Sequence, residues 1–191
     1  MKNRYGARRT TGTRPVLPII EVVCDDTRTA VAYFNLLKQE VGGKKVIKIV
    51  PAPSDGASAD EVIELAGSPS DPGDETFVLI DLDTNPNVSS AREKANAKGV
   101  TLLVSKPCFE IWTLAHLQDT GEAFLDCNAV LARLKLKWKD AFGSEMGPKA
   151  QARCEKLSAS RHLALERCKH RDPDMNPSWT EVWRAVEAIL A

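Results

Sequence analysis

Two aspartates close a short apolar stretch in the first half of the chain. Residues 77–80 are all apolar, and Asp81 and Asp83 follow them two residues apart. Such a run, ending in turn-forming residues, predicts a strand buried on both faces. Open parallel sheets bind ligands at the carboxyl ends of their strands, and side chains at i and i+2 of a strand face the same way. The spacing therefore predicts two carboxylates facing one volume, where a divalent cation such as Mg2+ would offset their repulsion.

The same pattern has an ordinary structural interpretation. Asp81 can end the strand, and Asp83 can open the turn that Asn85 and Pro86 continue, which is a common use of aspartate. Because the spacing fits both interpretations equally, the choice between them depends on other acids in the chain.

Further acids occur where other predicted elements meet the same sheet edge. Asp25 and Asp26 follow an apolar run that ends at Cys24, and Glu110 opens a predicted helix directly after the fourth strand. An acid at a helix N-terminus is favoured by the helix dipole, which explains Glu110 without any catalytic role. Acids at the ends of separate strands nevertheless suit one or two divalent metals that activate water and stabilise a phosphodiester transition state.

The elements that must position these acids alternate along the first half of the chain. Predicted strands fall at residues 16–24, 46–50, 77–80 and 100–104, with helical segments between them. This alternation is typical of a parallel sheet with right-handed crossovers. Predicted helices then follow at 108–117, 127–138, 149–169 and 178–190. We therefore predict an α/β fold with about four parallel strands and a helical C-terminal half packed on the sheet.

Composition limits the protein class more than the function. The 26 basic and 26 acidic residues give a formal net charge of zero, so no overall basic field indicates a nucleic-acid partner. No run approaches the roughly 20 apolar residues of a membrane span, and no signal-peptide core is found at the N-terminus. We expect a cytoplasmic protein with no membrane association.

Cysteine usage gives a further expectation. The chain has five cysteines, an odd number, and no two are spaced as a CxxC pair. This argues against a disulfide framework and against a structural zinc site. We expect Cys24, Cys108, Cys127, Cys154 and Cys168 to be small buried hydrophobic residues.

Positive charge is concentrated at two places. The first fifteen residues carry basic side chains and no acid, namely Lys2, Arg4, Arg8, Arg9 and Arg14. They predict a flexible arm that is either solvated or lies along a phosphate backbone. The predicted helix 149–169 has a basic face, for which solvation is the default interpretation. We divide the chain into a basic arm at 1–15, an α/β core at 16–117 and a helical region at 118–191.

His116 is the histidine nearest to the predicted acidic site. It lies six residues after Glu110, which places it nearly on the opposite side of one helix. A structural helical histidine is the favoured interpretation, with a catalytic role as the alternative.

Four segments carry a resemblance that spans nearly the whole chain. They are residues 22–34, which include Cys-Asp-Asp-Thr and Tyr-Phe; the Ile-Asp-Leu-Asp of 80–83; residues 105–116; and the Asn-Pro-Ser-Trp-Thr-Glu-Val of 176–182. The most specific is Ser-Lys-Pro-Cys-Phe-Glu-Ile-Trp-Thr-Leu-Ala-His at 105–116. The chain resembles the RloB-like proteins of bacteria and archaea, a TOPRIM-related group associated with phage defence and restriction loci.

The resemblance implies a TOPRIM-like Rossmannoid domain that holds Mg2+ or Mn2+ and cleaves nucleic acid, DNA or RNA, in anti-phage defence. Asp25 takes the place of the family's glutamate, as a metal ligand or a proton-transferring group. Asp81 and Asp83 take the metal-binding places. Glu110 is an additional acid, as a metal ligand or as a group that orients Lys106, and Lys106 is the first candidate for phosphate contact. Asp25, Glu110 and Lys106 are thus the candidate catalytic residues.

Three departures from the family pattern support an alternative. Asp25 is one methylene shorter than the glutamate it replaces, which moves the carboxylate by on the order of 1 Å. Asp26 replaces a glycine, and Lys106 stands where the family has asparagine. The alternative is a TOPRIM-like module with a degraded site, which binds nucleic acid, a nucleotide signal or a partner ATPase of a defence system.

Overall fold

Five strands and eight α-helices occur in residues 17–43, 45–54, 56–85 and 87–191, which the computed structural model describes. The first half contains β1 (Ile19–Cys24), α1 (Thr29–Val41), β2 (Val46–Pro51), α2 (Ala59–Leu65), β3 (Glu75–Asp81), α3 (Val88–Lys98) and β4 (Thr101–Lys106). The second half contains α4 (Glu110–Ala115), α5 (Cys127–Phe142), α6 (Ala150–Leu157), α7 (Arg161–Lys169), β5 (Trp179–Thr180) and α8 (Val182–Leu190). The predicted basic arm at 1–15 lies outside the described residues.

The strands form one sheet in the order β2-β1-β3-β4-β5. β1 pairs in parallel with β2 and β3, and β3 pairs in parallel with β4. The predicted α/β fold, with a parallel sheet and a helical C-terminal half, is therefore confirmed. Since these four strands run the same way, their carboxyl ends lie at one edge of the sheet.

The fifth strand corrects the prediction of a helix over 178–190. Trp179 and Thr180 pair in antiparallel fashion with β4, and α8 begins only at Val182. A strand of two residues is too short to show an alternating pattern. Its pairing partner, β4, is far away in sequence. The pairing therefore joins the predicted helical region to the sheet of the predicted core.

The predicted helix 149–169 is interrupted. A short 3-10 turn over Ser158–Ser160 separates α6 from α7. The Ser158 hydroxyl donates to the Glu155 carbonyl at 2.8 Å, and the Ser160 hydroxyl donates to the Leu157 carbonyl at 3.0 Å. Serine side chains that bond to nearby backbone compete with regular helix, which explains the break.

Helices cover both faces of the sheet. One core layer packs α1, α4 and α8 against β1 and includes Ile20, Val22, Phe34, Leu37, Trp112, Val186 and Ile189. The other packs α2 and α3 against the opposite face and includes Val23, Val62, Ile63, Val78, Ile80, Ala91 and Ala95. The predicted run 77–80 in β3 is buried throughout, and Thr76 before it is buried as well. No helix in the described part of the chain is long and apolar enough to cross a membrane.

The cysteine prediction is wrong for one pair. Cys108 and Cys127 form a disulfide with a Cα–Cα distance of 5.6 Å. Packing of α4 against α5 brings the two together, and their separation of 19 residues carries no local signal for this contact. Cys24, Cys154 and Cys168 are buried free thiols, as expected.

Candidate metal and phosphate site

A cavity of about 530 Å³ opens at the carboxyl edge of the sheet. Acidic side chains from separate elements line it: Asp25, Asp26, Asp81 and Glu110. Two cationic side chains, Arg28 and Arg153, line it as well. The sheet thus brings together the predicted acids from the ends of β1 and β3 and from the start of α4.

Asp25 and Asp81 are directly connected because β1 and β3 are neighbours. The backbone N–H of Asp81 donates to Asp25 Oδ2 at 2.7 Å, and the backbone N–H of Phe109 donates to Asp81 Oδ1 at 2.8 Å. Burial, followed by the charge of Asp26, raises the pKa of Asp25 to about 7. Burial, together with the charges of Asp25 and Glu110, raises the pKa of Asp81.

Asp83 lies differently from the prediction. β3 ends at Asp81, so the strand alternation that would align Asp81 with Asp83 does not reach Asp83. Its backbone N–H donates to the Pro107 carbonyl at 3.2 Å, and its carboxylate accepts backbone hydrogen bonds from Thr84 and Cys127. Asp83 is not among the residues that line the cavity.

Glu110 begins α4 and lies at the side of the cavity. Burial raises the pKa of its carboxyl group, the charge of Asp26 adds to this, and a hydrogen bond from Thr29 and the charge of Arg153 oppose it. Glu110 Oε2 also lies 3.4 Å from Cys127 Sγ. Its surroundings therefore include both the acidic cavity and the disulfide.

Lys106, the predicted phosphate contact, is the last residue of β4, where it pairs with Trp179 of β5. It is not among the residues that line the cavity, whereas Arg28 and Arg153 are. Arg153 is fixed by donating to the carbonyls of Gly147 at 3.0 Å and Pro148 at 2.9 Å. The basic face predicted for helix 149–169 was the sequence signal for Arg153, whereas no spacing rule indicated Arg28.

A model of the RloB-like protein family matches residues 20–189, from β1 to α8. The chain belongs to the RloB-like family. The match includes every acid of the cavity as well as both arginines. No curated protein and no solved structure matches the chain.

Asp26 has a structural role in this RloB-like protein. Its Oδ2 accepts the backbone N–H groups of Thr29 at 2.7 Å and Ala30 at 3.0 Å, and so caps the start of α1. Its Oδ1 is buried and has no hydrogen-bond partner among the residues that the structure describes. The carboxylate therefore stabilises α1 while its charge raises the pKa of Asp25 and Glu110.

We expect Asp26→Ala to be less stable than Asp26→Asn by about 1 kcal/mol. Both substitutions remove the charge, but only asparagine retains an oxygen that can accept the two backbone N–H groups. Urea unfolding of both variants at one pH measures the difference in free energy of unfolding. Equal unfolding midpoints would show that the cap does not stabilise α1.

His116 belongs to a buried aromatic cluster rather than to the cavity. Its ring centroid lies 5.7 Å from that of Tyr33 and 5.2 Å from that of Trp112, and Nδ1 lies 3.0 Å from the Trp112 carbonyl. Burial lowers its pKa to about 4, so the ring is neutral. Tyr33 also contacts Phe109, with ring centroids 6.2 Å apart. This arrangement fits the structural interpretation of His116.

The acids of this RloB-like protein fit a hard divalent cation. Asp25 Oδ2 and Asp81 Oδ1 each accept a backbone N–H, which orients both carboxylates toward the cavity that they line. Burial raises the pKa of both carboxyl groups, and a bound cation would offset this cost of ionisation. Mg2+ needs only one or two carboxylates, with water and phosphate oxygens completing its octahedral coordination. Mn2+ also prefers oxygen ligands.

The three predicted metal ligands, Asp25, Asp81 and Asp83, do not all lie close enough to one another to surround one ion directly. Within the described ranges, one trio of potential ligands has donor atoms all within 4.8 Å of one another, namely Cys108, Glu110 and Cys127. Asp25, Asp81 and Asp83 are therefore more widely spaced. The arrangement suits a cation held by Asp25 and Asp81, with Glu110 nearby.

Proposed function

We propose that this RloB-like protein is a Mg2+- or Mn2+-dependent nuclease that cleaves phosphodiester bonds of DNA or RNA. One observation carries the proposal: two hydrogen-bonded carboxylates from neighbouring strand ends, one buried and one half-buried, share a cavity with two arginines. When bound, the metal ion supplies an activated water and offsets negative charge on the scissile phosphate. The residues of the chain would hold the metal, bind the phosphate and exchange protons with the reacting oxygens.

Asp25 and Asp81 would hold the metal through their carboxylate oxygens. Their orientation is fixed, because Asp81 N–H fixes Asp25 and Phe109 N–H fixes Asp81. Such fixed ligands place the reacting groups without reorganisation during the reaction. Asp83 is not among the residues that line the cavity, and its carboxylate accepts the backbone N–H groups of Thr84 and Cys127. Its charge still contributes to raising the pKa of Asp25 and of Asp81.

Glu110 would exchange protons with the attacking water or the leaving oxygen. Its pKa is raised by burial, which moves it toward neutral pH, where a general acid or base is most effective. Arg28 and Arg153 would bind the phosphate, because guanidinium groups match phosphate oxygens in charge and geometry. Without these arginines, the negative potential of the acids would repel a nucleic-acid backbone.

One contact supports the alternative, a binding module without catalysis, because it blocks a position at which a phosphate could be held for cleavage. Asp26 occupies the N–H groups of Thr29 and Ala30, which would otherwise be open to a phosphate at the start of α1. In that case the cavity binds a nucleic acid or nucleotide signal without cleaving it. Anti-phage defence, with a partner ATPase and cytoplasmic location, is the biological setting that we propose for either activity, on the basis of the family.

The test is metal-dependent cleavage of end-labelled single- and double-stranded DNA and RNA, paired with calorimetric titration of Mg2+ and Mn2+. We expect cleavage that requires metal and falls by roughly 10²-fold in Glu110→Gln, the size of a typical general acid–base contribution. Glu93→Gln, an exposed glutamate on α3, is the matched control and should behave as wild type. Nucleic-acid binding without metal binding or cleavage would support the binding module instead.

A further inference from the structure

Two cysteines and a glutamate converge beside the acidic cavity. Cys108 precedes α4, Cys127 is the first residue of α5, and Glu110 is the first residue of α4. The two sulfurs and one Glu110 oxygen all lie within 4.8 Å of one another. Glu110 also lines the cavity, so the disulfide is next to a route for ions from solvent.

We propose that reduction of the Cys108–Cys127 disulfide creates a binding site for a soft divalent cation, Zn2+ or a similar ion, formed by both thiolates and Glu110. The reductant is a dithiol: it donates two electrons and two protons, the S–S bond breaks, two thiols form, and the dithiol becomes a disulfide. Zn2+ then displaces both thiol protons. Two thiolates and one carboxylate give three ligands, and water or an exogenous ligand completes the tetrahedron.

The backbone already has the spacing that this site needs. Zn–S bonds are about 2.3 Å long, so two thiolates on one tetrahedral ion lie roughly 3.8 Å apart. Cα atoms 5.6 Å apart can carry sulfurs at that distance by side-chain rotation alone. Glu110 Oε2, at 3.4 Å from Cys127 Sγ, is already close enough to share one ion with this sulfur.

The site differs in metal preference from the neighbouring carboxylates. Thiolates select soft ions such as Zn2+, whereas the oxygens of Asp25 and Asp81 suit Mg2+ and Mn2+. Binding of Zn2+ would withdraw Glu110 from the cavity. The binding inference stands apart from the nuclease proposal, whereas the expected inhibition of cleavage by Zn2+ rests on it.

The other cysteines provide an internal comparison. Cys24, Cys154 and Cys168 are buried as free thiols, and none belongs to a group of close metal-ligating atoms in the described part of the chain. Cys127, in contrast, is only partly buried and touches a carboxylate. Binding of a metal by thiolates should therefore depend on Cys108 and Cys127 and on no other cysteine named here.

The experiment uses Co2+ as a spectroscopic probe of the full-length protein. The protein is reduced with dithiothreitol, freed of reductant by anaerobic gel filtration, and titrated with Co2+. We expect one equivalent to bind with a thiolate-to-cobalt charge-transfer band, Zn2+ to abolish the band, and excess Mg2+ to leave it unchanged. Oxidised protein, whose fold is intact, should give no band.

Variants complete the test. Cys127→Ser should abolish the band, Glu110→Gln should weaken Co2+ binding by at least about tenfold, and Cys168→Ser should leave both unchanged. A reduced wild type without a charge-transfer band, or a band that survives Cys127→Ser, would overturn the proposal. Since no nucleic acid is present, a failed nuclease assay does not affect this result. If cleavage is observed, Zn2+ should inhibit it in reduced protein only.

Discussion

Asp81→Asn is expected to lower metal-dependent cleavage by at least roughly 10³-fold while the protein remains folded. A bound metal contributes several kcal/mol of transition-state stabilisation, and Asp81 offers one of two buried carboxylates that would hold it. The fold should survive because the asparagine carbonyl can still accept the Phe109 N–H. Removing a buried charge whose pKa is raised also relieves the folded state of an unfavourable interaction.

Calorimetry and cleavage assays measure this effect together. Mg2+ and Mn2+ binding should be lost in Asp81→Asn, and the thermal midpoint of the metal-free variant should equal or exceed that of wild type. Asp140→Asn, an exposed substitution on α5, is the matched control and should retain full binding and cleavage. Undiminished cleavage by folded Asp81→Asn would exclude Asp81 as a metal ligand.

Asp25→Asn is expected to stabilise the metal-free protein at pH 8 by up to roughly 4 kcal/mol. The folded-state pKa of Asp25, about 7, lies above its ordinary value of 3.8, so the folded state binds a proton more tightly than the unfolded state. The resulting stability is present below about pH 4 and is lost as pH rises through about 7. Asparagine cannot ionise and retains an acceptor for the Asp81 N–H.

Chemical denaturation at pH 5 and pH 8, with and without Mg2+, tests this expectation. The stabilisation of Asp25→Asn over wild type should be large at pH 8 and clearly smaller at pH 5. Added Mg2+ should stabilise wild type at pH 8 but have little effect on the variant, because ligand binding to the folded state alone raises stability. If the difference in free energy of unfolding between Asp25→Asn and wild type were the same at both pH values, Asp25 would not be a buried, uncompensated charge.

The sequence predicted the parts of the fold that depend on local patterns. Buried runs followed by Asp25 and Asp81 identify strands whose ends meet at one edge, because parallel strands have a fixed direction. Asp83 departs because β3 ends at Asp81, and strand ends are the least certain part of such a prediction. The location of β5 and the Cys108–Cys127 bond depend on long-range contacts with no local signature.

The same distinction applies to the cationic side of the site. Lys106 lies close in sequence to Glu110 and replaces the family's asparagine, yet position along the chain does not decide which way a side chain faces. Arg153 reaches the cavity because α6 packs against α1, a contact that only the tertiary structure shows. The acids that follow β1 and β3 and the acid that begins α4 were thus predictable, whereas the place of Arg153 beside them depends on helix packing.

The aromatic cluster has a consequence for how this site binds. Tyr33 lies one turn after Thr29 on α1, and Phe109 both contacts Tyr33 and donates its N–H to Asp81. The walls of the cavity are thus anchored in the same buried packing that stabilises the domain. The loss of conformational entropy that ordering these side chains requires is incurred when the chain folds. A ligand therefore meets a preorganised site, and little of its binding energy is spent on ordering the protein.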